Sequence, residues 1–355
     1  MAGAALLRLQ RGLTSERLLA GAGYMEDPDL LGAYLLYYWP VSYLEAALSL
    51  AMIGRSPRRV LDLGSGPGPL AAALIDAGAA EIKLVDGSPA ALALAHGLLG
   101  KPGLKLSTTS LDLQGGEGAG EGPYDAIVSG HLLNELWKEA PDRVERRRVF
   151  IETQAAALAP GGFVLVIEPA LLSTSRETLA LRDALAARGW KILAPCPSSL
   201  PCPALAAGPS RTCHGEAAWM PAEPMASLAL RAGLDRSSVK WIWFCASPPD
   251  TRADASLPPP EAATLPSGSL GPARVVSEGL LNKAGRLRYL LCCEGRLTTL
   301  SAPRAMKKAA ESGFLGLGRY DLVAVEAAEI REGGLGLSDA STFTLVARAP
   351  GIESR

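Results

Sequence analysis

The stretch "VLDLGSGPGPL", residues 60–70, decides how the rest of the chain is read. A short apolar run is broken by Gly64, Gly66 and Gly68 and passes straight into the helical pattern "PLAAALIDAG". Glycine lacks a Cβ, so a strand–glycine turn–helix passage lets the backbone bend tightly and approach a ligand closely. Such a fingerprint alone is weak. The acids around it sharpen it. Asp62 stands just before the loop, and "EIKLVDGS" ends a second run at Asp86, where a carboxylate can accept both hydroxyls of a ribose. "LKLSTTSLDL" ends a third near Asp112, whose side chain can reach an adenine amine.

Outward from the loop the pattern repeats. "YDAIVSG" and "GGFVLVIEP" read as further strands, with helical segments "SPAALALAHGLLG" and "DRVERRRVFIETQAAALAPGG" between runs. Strands alternating with helices predict a parallel α/β sheet wound on both faces. "SRETLALRDALAARGW" reads as another helix, capped by Thr174 or Ser175, and "WKILAP" and "SVKWIWFCAS" as two more strands. Residues 1–56 read as a helical region with "TSER" (14–17) as a cap, residues 57–246 as the α/β domain, and residues 196–238 as a Cys-rich insertion. "SPPDTRADASLPPPEAATLPSGSLGP" (247–272) is a proline-rich linker. Residues 273–350 then read as strands with tight turns, for which a small OB-like β-barrel is expected.

Composition sets bounds. The 355 residues suit two domains, the chain is 48% hydrophobic, and its formal net charge is −1. No global electrostatic argument for nucleic acid follows. Any such contact must use local patches, of which "DRVERRRVF" (142–150), "RSPRR" (55–59) and "MKK" (306–308) are candidates; the plain alternative for each is a solvated helix face. The most apolar stretch, residues 30–54, is interrupted by Pro40 and Glu45, so packed helices rather than a membrane span are expected. The start of the chain lacks a secretory layout; its arginines leave a mitochondrial presequence open, against which Glu16 argues. A cytoplasmic location is expected, with the mitochondrial matrix as the alternative, and a monomer.

The loop D-L-G-S-G-P-G, with Asp86 and Asp112 behind it, resembles that of S-adenosylmethionine (SAM)-dependent methyltransferases rather than the G-x-G-x-x-G of nicotinamide enzymes. The segment that usually carries the acceptor chemistry reads "YDAIVSGHLLNELWK". It holds neither an Asn/Asp-Pro-Pro-aromatic motif nor a Pro-Cys nucleophile, so no acceptor-activating motif is recognisable and enzymatic activity stays open. His131 is the one candidate general base there. The alternative is that His131 and Asn134 cap the following helix and line the cofactor pocket.

"CPSSLPCPALAAGPSRTCH" (196–214) gathers three of the six cysteines into a loop stiffened by Pro195, Pro197, Pro201 and Pro203. The spacings between Cys196, Cys202 and Cys213 are not the tight pairs of a zinc ribbon. Zinc on these thiolates plus His214, an iron–sulfur cluster on four cysteines, and simple burial are the alternatives at this point.

"YYWPVSY", "VLDLGSGPG", "SGHLLNEL", "APGGFVLVIEP", "CPSSLPCP…CH", "VKWIWF" and "GRLRYLLCCEG" together resemble the methyltransferase-like proteins of the mitochondrial small ribosomal subunit and their bacterial relatives. The resemblance implies a SAM-binding assembly factor that contacts small-subunit rRNA and carries a four-iron four-sulfur cluster. Cys196, Cys202 and Cys213 match three ligands of that cluster, and Cys292 the fourth, with adjacent Cys293 as its alternative. Ser198 departs from the family pattern, which has histidine after Cys-Pro. The rival readings are an active rRNA methyltransferase and a small-molecule methyltransferase with structural zinc.

Overall fold

The structure, a computed structural model, describes residues 2–15, 19, 23–234, 237–249 and 267–352. Two helices open the chain, α1 (Ala2–Gln10) and α2 (Pro28–Ile53). The Asp27 carboxylate starts α2 by accepting from the amides of Asp29 and Leu30, and Gly54, left-handed, ends it. Of the expected "TSER" cap, Thr14 and Ser15 belong to a short π-helical turn, while residues 16 and 17 lie outside the described residues. No described helix is long and apolar enough to cross a membrane.

Then follow β1 (Arg59–Leu63), α3 (Pro69–Asp76), β2 (Glu81–Asp86), α4 (Pro89–Leu99), β3 (Lys105–Ser110), β4 (Tyr124–Gly130), α5 (Arg143–Ala155), β5 (Leu158–Pro169), α6 (Leu172–Ala187) and β6 (Lys191–Ala194). The insertion contributes α7 (Pro203–Ala206), β7 (Gly215–Ala218) and α8 (Met225–Arg231), and β8 (Ser238–Ser247) closes the domain. The sheet order is β3-β2-β1-β4-β5-β8-β6, with β7 paired to β8. β3, β2, β1, β4 and β5 are mutually parallel; β8 runs antiparallel to β5, β6 and β7.

Both faces of the central strands are covered, which is why β1, β4, β5 and β8 read as apolar runs, whereas the edge strand β3 is polar and without a buried residue. Val60 points into the core shared with α2, α3 and α4, whereas Leu61 and Leu63 point into the core shared with α5 and α6. The chain moves outward from β1 to β3 and returns beside β1 as β4. That switch point opens a crevice at the carboxyl ends of the strands, where α/β sheets bind ligands. The α/β class and its winding match the expectation. One local expectation fails: α6 begins at Leu172, so Thr174 and Ser175 lie inside it rather than capping it. Thr178 instead bonds back to the Thr174 carbonyl.

The C-terminal unit contains β9 (Leu270–Val275), β10 (Leu280–Leu281), β11 (Arg286–Cys293), β12 (Arg296–Pro303), α9 (Lys307–Glu311), β13 (Leu322–Glu326), β14 (Glu329–Arg331), β15 (Gly334–Gly336) and β16 (Thr342–Ala347). Its sheet runs β14-β15-β12-β11-β9-β13-β16 around one core built on Tyr289, Leu291, Leu300, Phe314 and Val323. Among the described residues the pairing is an open path, and no strand pair closes it into the expected OB-like barrel. Of the expected linker, residues 250–266 lie outside the described residues.

The two units meet through apolar and polar contacts. Tyr320, in the C-terminal unit, joins the core of the α/β domain and stands edge-on to Trp243, with ring centroids 6.5 Å apart. Arg274 of β9 donates to the carbonyl of Pro195 at 2.8 Å and to that of Tyr320 at 2.7 Å. Arg319 lies 3.5 Å from Glu216 of β7.

Candidate functional site

The glycine loop follows β1 at the switch point. Gly64, Gly66 and Gly68 have φ of 67°, 51° and 80°, a region that L side chains rarely adopt. At Gly64 an added Cβ would stand 2.9 Å from Leu132, in the turn after β4, so this residue also lets two segments meet. At Gly66 the space is open, with only Met25 Cε at 3.7 Å. Asp86, at the end of β2, accepts from the Gly66 amide through Oδ2 and from the Ser88 amide through Oδ1, both at 2.8 Å. The α2 side chain Trp39 donates to the Pro67 carbonyl at 3.0 Å, tying the N-terminal helix to the loop.

Asp62 is fully buried, and neither carboxylate oxygen makes a close hydrogen bond, although the backbone amide of Ala71 faces it and favours the charged form. Burial raises its pKa well above the ordinary value, and the charge of Asp86 adds to this. Asp112 is exposed and caps the turn that follows β3, accepting from the Gln114 amide at 2.9 Å. The sequence-predicted residues thus fall along one edge of the sheet, with Asp112 at its outer end.

Beside the loop lies a cavity of about 440 Å³. Its walls include Tyr24, Tyr34, Tyr38, Glu45, His131 and Asn134. His131 directly follows β4 with φ of 58°, and its Nε2 is 2.7 Å from Oε2 of the buried Glu45 of α2. Asn134 donates to the His131 carbonyl at 3.0 Å and to Glu168, the last acid of β5, at 2.7 Å. Glu168 also accepts from the Leu133 amide at 2.8 Å. His131 and Asn134 therefore do not cap the following helix, as expected; α5 begins farther on, after Asp142. They brace a tight turn against β5. Burial works to lower the His131 pKa, but Glu45, Glu168 and Glu135 together outweigh it and the net shift is upward. The sequence reading missed Glu45 and Glu168. An acid closing the apolar run "VLVIEP" is the signal that could have found the second.

A separate cavity of about 270 Å³ lies between the two units. It is lined by Cys196, Cys202 and Cys213 from the insertion and by Cys292 from β11, together with His214, Arg182, Arg274 and Tyr320. Cys293, whose side chain alternates to the other face of β11, is buried in the C-terminal core instead. Cys245 is fully buried in β8. The buried Arg182 holds the loop in shape by donating to the carbonyls of Ser198 and Leu200 and to Asp183. Asp183 in turn accepts from the Cys202 amide at 2.8 Å. Burial pushes the Cys292 thiol up to about 12, and Cys196 and Cys202 add to the shift. Burial pushes the other three up as well. Among the described residues no group of three or more His, Cys, Asp or Glu is set to hold a metal ion.

The expected basic patch on α5 is not a free cationic face. Arg146 pairs with Asp142 at 2.8 Å, and Arg147 is buried against Glu177 at 2.7 Å. Arg148 pairs with both Glu145 and Glu152. In "RSPRR", Arg59 pairs with Glu81 at 3.0 Å, and Arg55 lies over the Phe163 ring. Exposed Arg288 has no ion pair among the described residues; with Arg286 and Arg331 it lines a groove of about 410 Å³ on the C-terminal sheet.

Solved structures share a general likeness with the chain. TehB from Haemophilus influenzae is 18% identical over 56% of this chain and 60% of that one, with a TM-score of 0.36. That match spans less than two thirds of TehB. The ribosomal protein L11 methylase from Lactobacillus delbrueckii subsp. bulgaricus is 20% identical over 57% of this chain and 78% of its own, with a TM-score of 0.33. No curated protein matches in sequence. The profile of one protein family matches residues 33–221, more than half of the chain, from α2 through the glycine loop and the cysteine loop to just beyond β7. The chain belongs to that family, the Rsm22 family, described as mitochondrial small ribosomal subunit Rsm22.

Proposed function

We propose that this protein binds SAM, carries an iron–sulfur cluster between its two units, and acts on the small ribosomal subunit in assembly or translation. The observation that carries the reading is the convergence of Cys196, Cys202 and Cys213 with Cys292 on one cavity. Cys292 lies outside the stretch that the family profile matches, so its arrival there is a property of the fold of this chain.

The residues present suit both groups. A buried carboxylate with no close hydrogen bond, as at Asp62, costs free energy until a stronger donor or a cation reaches it, and SAM carries an ammonium and a sulfonium. Asp86 is held ready by two amides and keeps free lone pairs for ribose hydroxyls. The open space at Gly66 leaves room for the adenosyl group. When bound, SAM supplies an electrophilic methyl group. As to the metal, a cluster takes one thiolate from each of four cysteines, although among the described residues no group of three or more His, Cys, Asp or Glu is set to hold a metal ion. A four-iron cluster spaces its thiolates around itself, which suits four cysteines distributed over a cavity. It would bridge the insertion and β11 and add its binding energy to the contact between the units.

Docking on the subunit would use exposed Arg288 in the C-terminal groove, where Arg331 is paired with Glu329 and Glu332 also lines the wall, rather than α5, whose arginines are internally paired. The family description fits the mitochondrial-matrix alternative. Two measurements test the reading: sedimentation of the protein with small subunits from cell extract, and calorimetry with SAM. Co-sedimentation and saturable SAM binding are expected. Protein that stays free of ribosomal particles and ignores SAM contradicts it.

A further inference from the structure

We propose that Arg274 and Tyr320, reaching across from the C-terminal unit, raise the reduction potential of the cluster between the units, so that this group accepts an electron as well as joining them. The proposal rests on the cluster reading above and goes beyond it in assigning a redox property and the residues that set it.

Three observations carry it. First, the charge around the four cysteines is one-sided. Arg182, Arg211, Arg274 and Arg319 line the cavity, and among the described residues no carboxylate does. Arg182 is paired with Asp183 at 2.6 Å, Arg319 lies 3.5 Å from Glu216, and Arg211 is exposed. Arg274 differs from these. It is half-buried, and among the described residues it has no ion pair; Asp321 faces it from outside ion-pair distance and is itself paired with Arg348 at 2.7 Å. The thiols its charge reaches are those of Cys196 and Cys213. A cation withdrawn from water costs free energy until an anion reaches it, and four thiolates around a cluster are such an anion. Second, Tyr320 presents its hydroxyl to a ligand sulfur, with the oxygen 3.8 Å from Cys213 Sγ. A thiolate bound to iron carries no hydrogen, so the phenol is the donor. Third, the fold holds Tyr320 in place against its own preference. Its φ of 68° lies in the left-handed region, which a bulky residue adopts only when its surroundings over-determine it. Those surroundings are visible. Arg274 donates to its carbonyl at 2.7 Å, its ring stands edge-on to Trp243, and Gly215 makes room, since an added Cβ there would stand 2.9 Å from the Tyr320 ring.

The step balances. One electron enters from a one-electron reductant, no bond forms or breaks, and the group becomes more negative by one charge. A cation or a hydrogen-bond donor beside it gains more from the reduced state than from the oxidised one, which raises the potential. Burial acts the other way, because a site withdrawn from water disfavours added charge. Arg274 offsets that burial by its charge, and Tyr320 by its hydrogen bond to Cys213. Neither residue is a ligand; both act through the sulfurs.

The test uses the full chain, purified anaerobically and titrated with dithionite in the presence of redox mediators. Electron paramagnetic resonance reads it, since the reduced cluster gives a signal that the oxidised one lacks. Tyr320→Phe keeps the ring and removes the hydroxyl. It should keep iron, sulfide and colour, and lower the reduced-to-oxidised ratio about tenfold at a fixed potential, a downward shift of about 59 mV for one electron. Arg274→Gln and Arg274→Lys both lose the guanidinium fork, but only the first loses the charge. The potential of Arg274→Gln should therefore lie below that of Arg274→Lys, whereas a merely structural role gives both the same value. The proposal is overturned, and the cluster reading stands, if a brown wild type is not reduced by dithionite or if the two Arg274 variants share one potential. The same holds if Tyr320→Phe keeps the wild-type potential, or if it loses its colour and so proves to be a holding contact. If the wild type is colourless, both readings fall together.

Discussion

The Gly66 amide donates to Asp86 Oδ2 at 2.8 Å, so the tip of the glycine loop is pinned to the end of the neighbouring strand before any ligand arrives. The same carboxylate fixes the next turn through the Ser88 amide. Pre-organisation of this kind lowers the ordering cost of binding. Asp86→Ala removes both anchors and the expected ribose acceptor. Losing a charge-assisted hydrogen bond costs about 1.5–3 kcal/mol, so SAM affinity should fall roughly tenfold to a hundredfold. Gly66→Arg should abolish binding, because it forces a long side chain at φ 51° into the one open part of the loop. Calorimetry reads both, and unchanged affinity in either variant contradicts the assignment.

The contact between the units is predicted to be stable in part without a metal. Arg274 serves the carbonyls of Pro195 and Tyr320 at once. Arg274→Ala should destabilise the chelator-treated protein by about 1–3 kcal/mol, the cost of leaving a buried acceptor unpaired. Arg274→Lys should recover little, since one ammonium cannot reproduce the guanidinium fork. A urea midpoint that does not move would show the contact to be incidental.

Electrostatic docking should depend on the C-terminal groove. Arg288→Ala should weaken binding to small-subunit RNA and reduce the salt slope by about one counterion. Arg146→Ala should leave both unchanged, because Arg146 is already paired with Asp142. Filter-binding affinities across a salt series separate the two. The reverse pattern would return the RNA site to α5.

The His131–Glu45 pair has a signed pH dependence. Burial lowers the imidazole's pKa, Glu45 with Glu168 and Glu135 more than restores it, and the folded value lies above that of the free side chain, about 6.5. A raised folded value makes the pair's contribution fully present below the value of the free side chain and lost as pH rises through the folded value. The stability difference between wild type and Glu45→Gln should therefore be larger near about pH 6 than near about pH 9. Urea unfolding at the two pH values measures it; a difference that grows with pH contradicts the pairing.

Much of the α/β domain was legible because its signals are local. Apolar runs closed by Gly64, Asp86 or Gly130 mark buried parallel strands, and the glycine loop marks the switch point. β7 was not legible, because "GEAA" offers four small or polar residues and becomes a strand only by pairing with β8. Nor was the neutralisation of Arg147, whose partner Glu177 lies on the next helix rather than its own. Glu45 read as an interruption of an apolar helix, and only packing against the turn after β4 gave it a partner. The meeting of Cys196, Cys202, Cys213 and Cys292 on one cavity was legible by resemblance alone. No spacing rule links Cys213 to Cys292, and the fold meets that distance by laying the second unit against the insertion. The open path of the C-terminal sheet shows the limit of strand and turn signals, which do not reveal whether a sheet closes.

The most direct test of the account is iron and acid-labile sulfide in anaerobically purified protein, compared across single cysteine-to-serine variants. The wild type should be brown and hold iron and sulfide in equal amounts. Cys196→Ser, Cys202→Ser, Cys213→Ser and Cys292→Ser should each lose the colour, because a hydroxyl is a poor substitute for a soft thiolate. Cys293→Ser and Cys245→Ser should keep it, since both side chains are buried away from the shared cavity. A colourless wild type, or colour that survives Cys292→Ser and is lost with Cys293→Ser, would contradict the proposed cluster on Cys196, Cys202, Cys213 and Cys292.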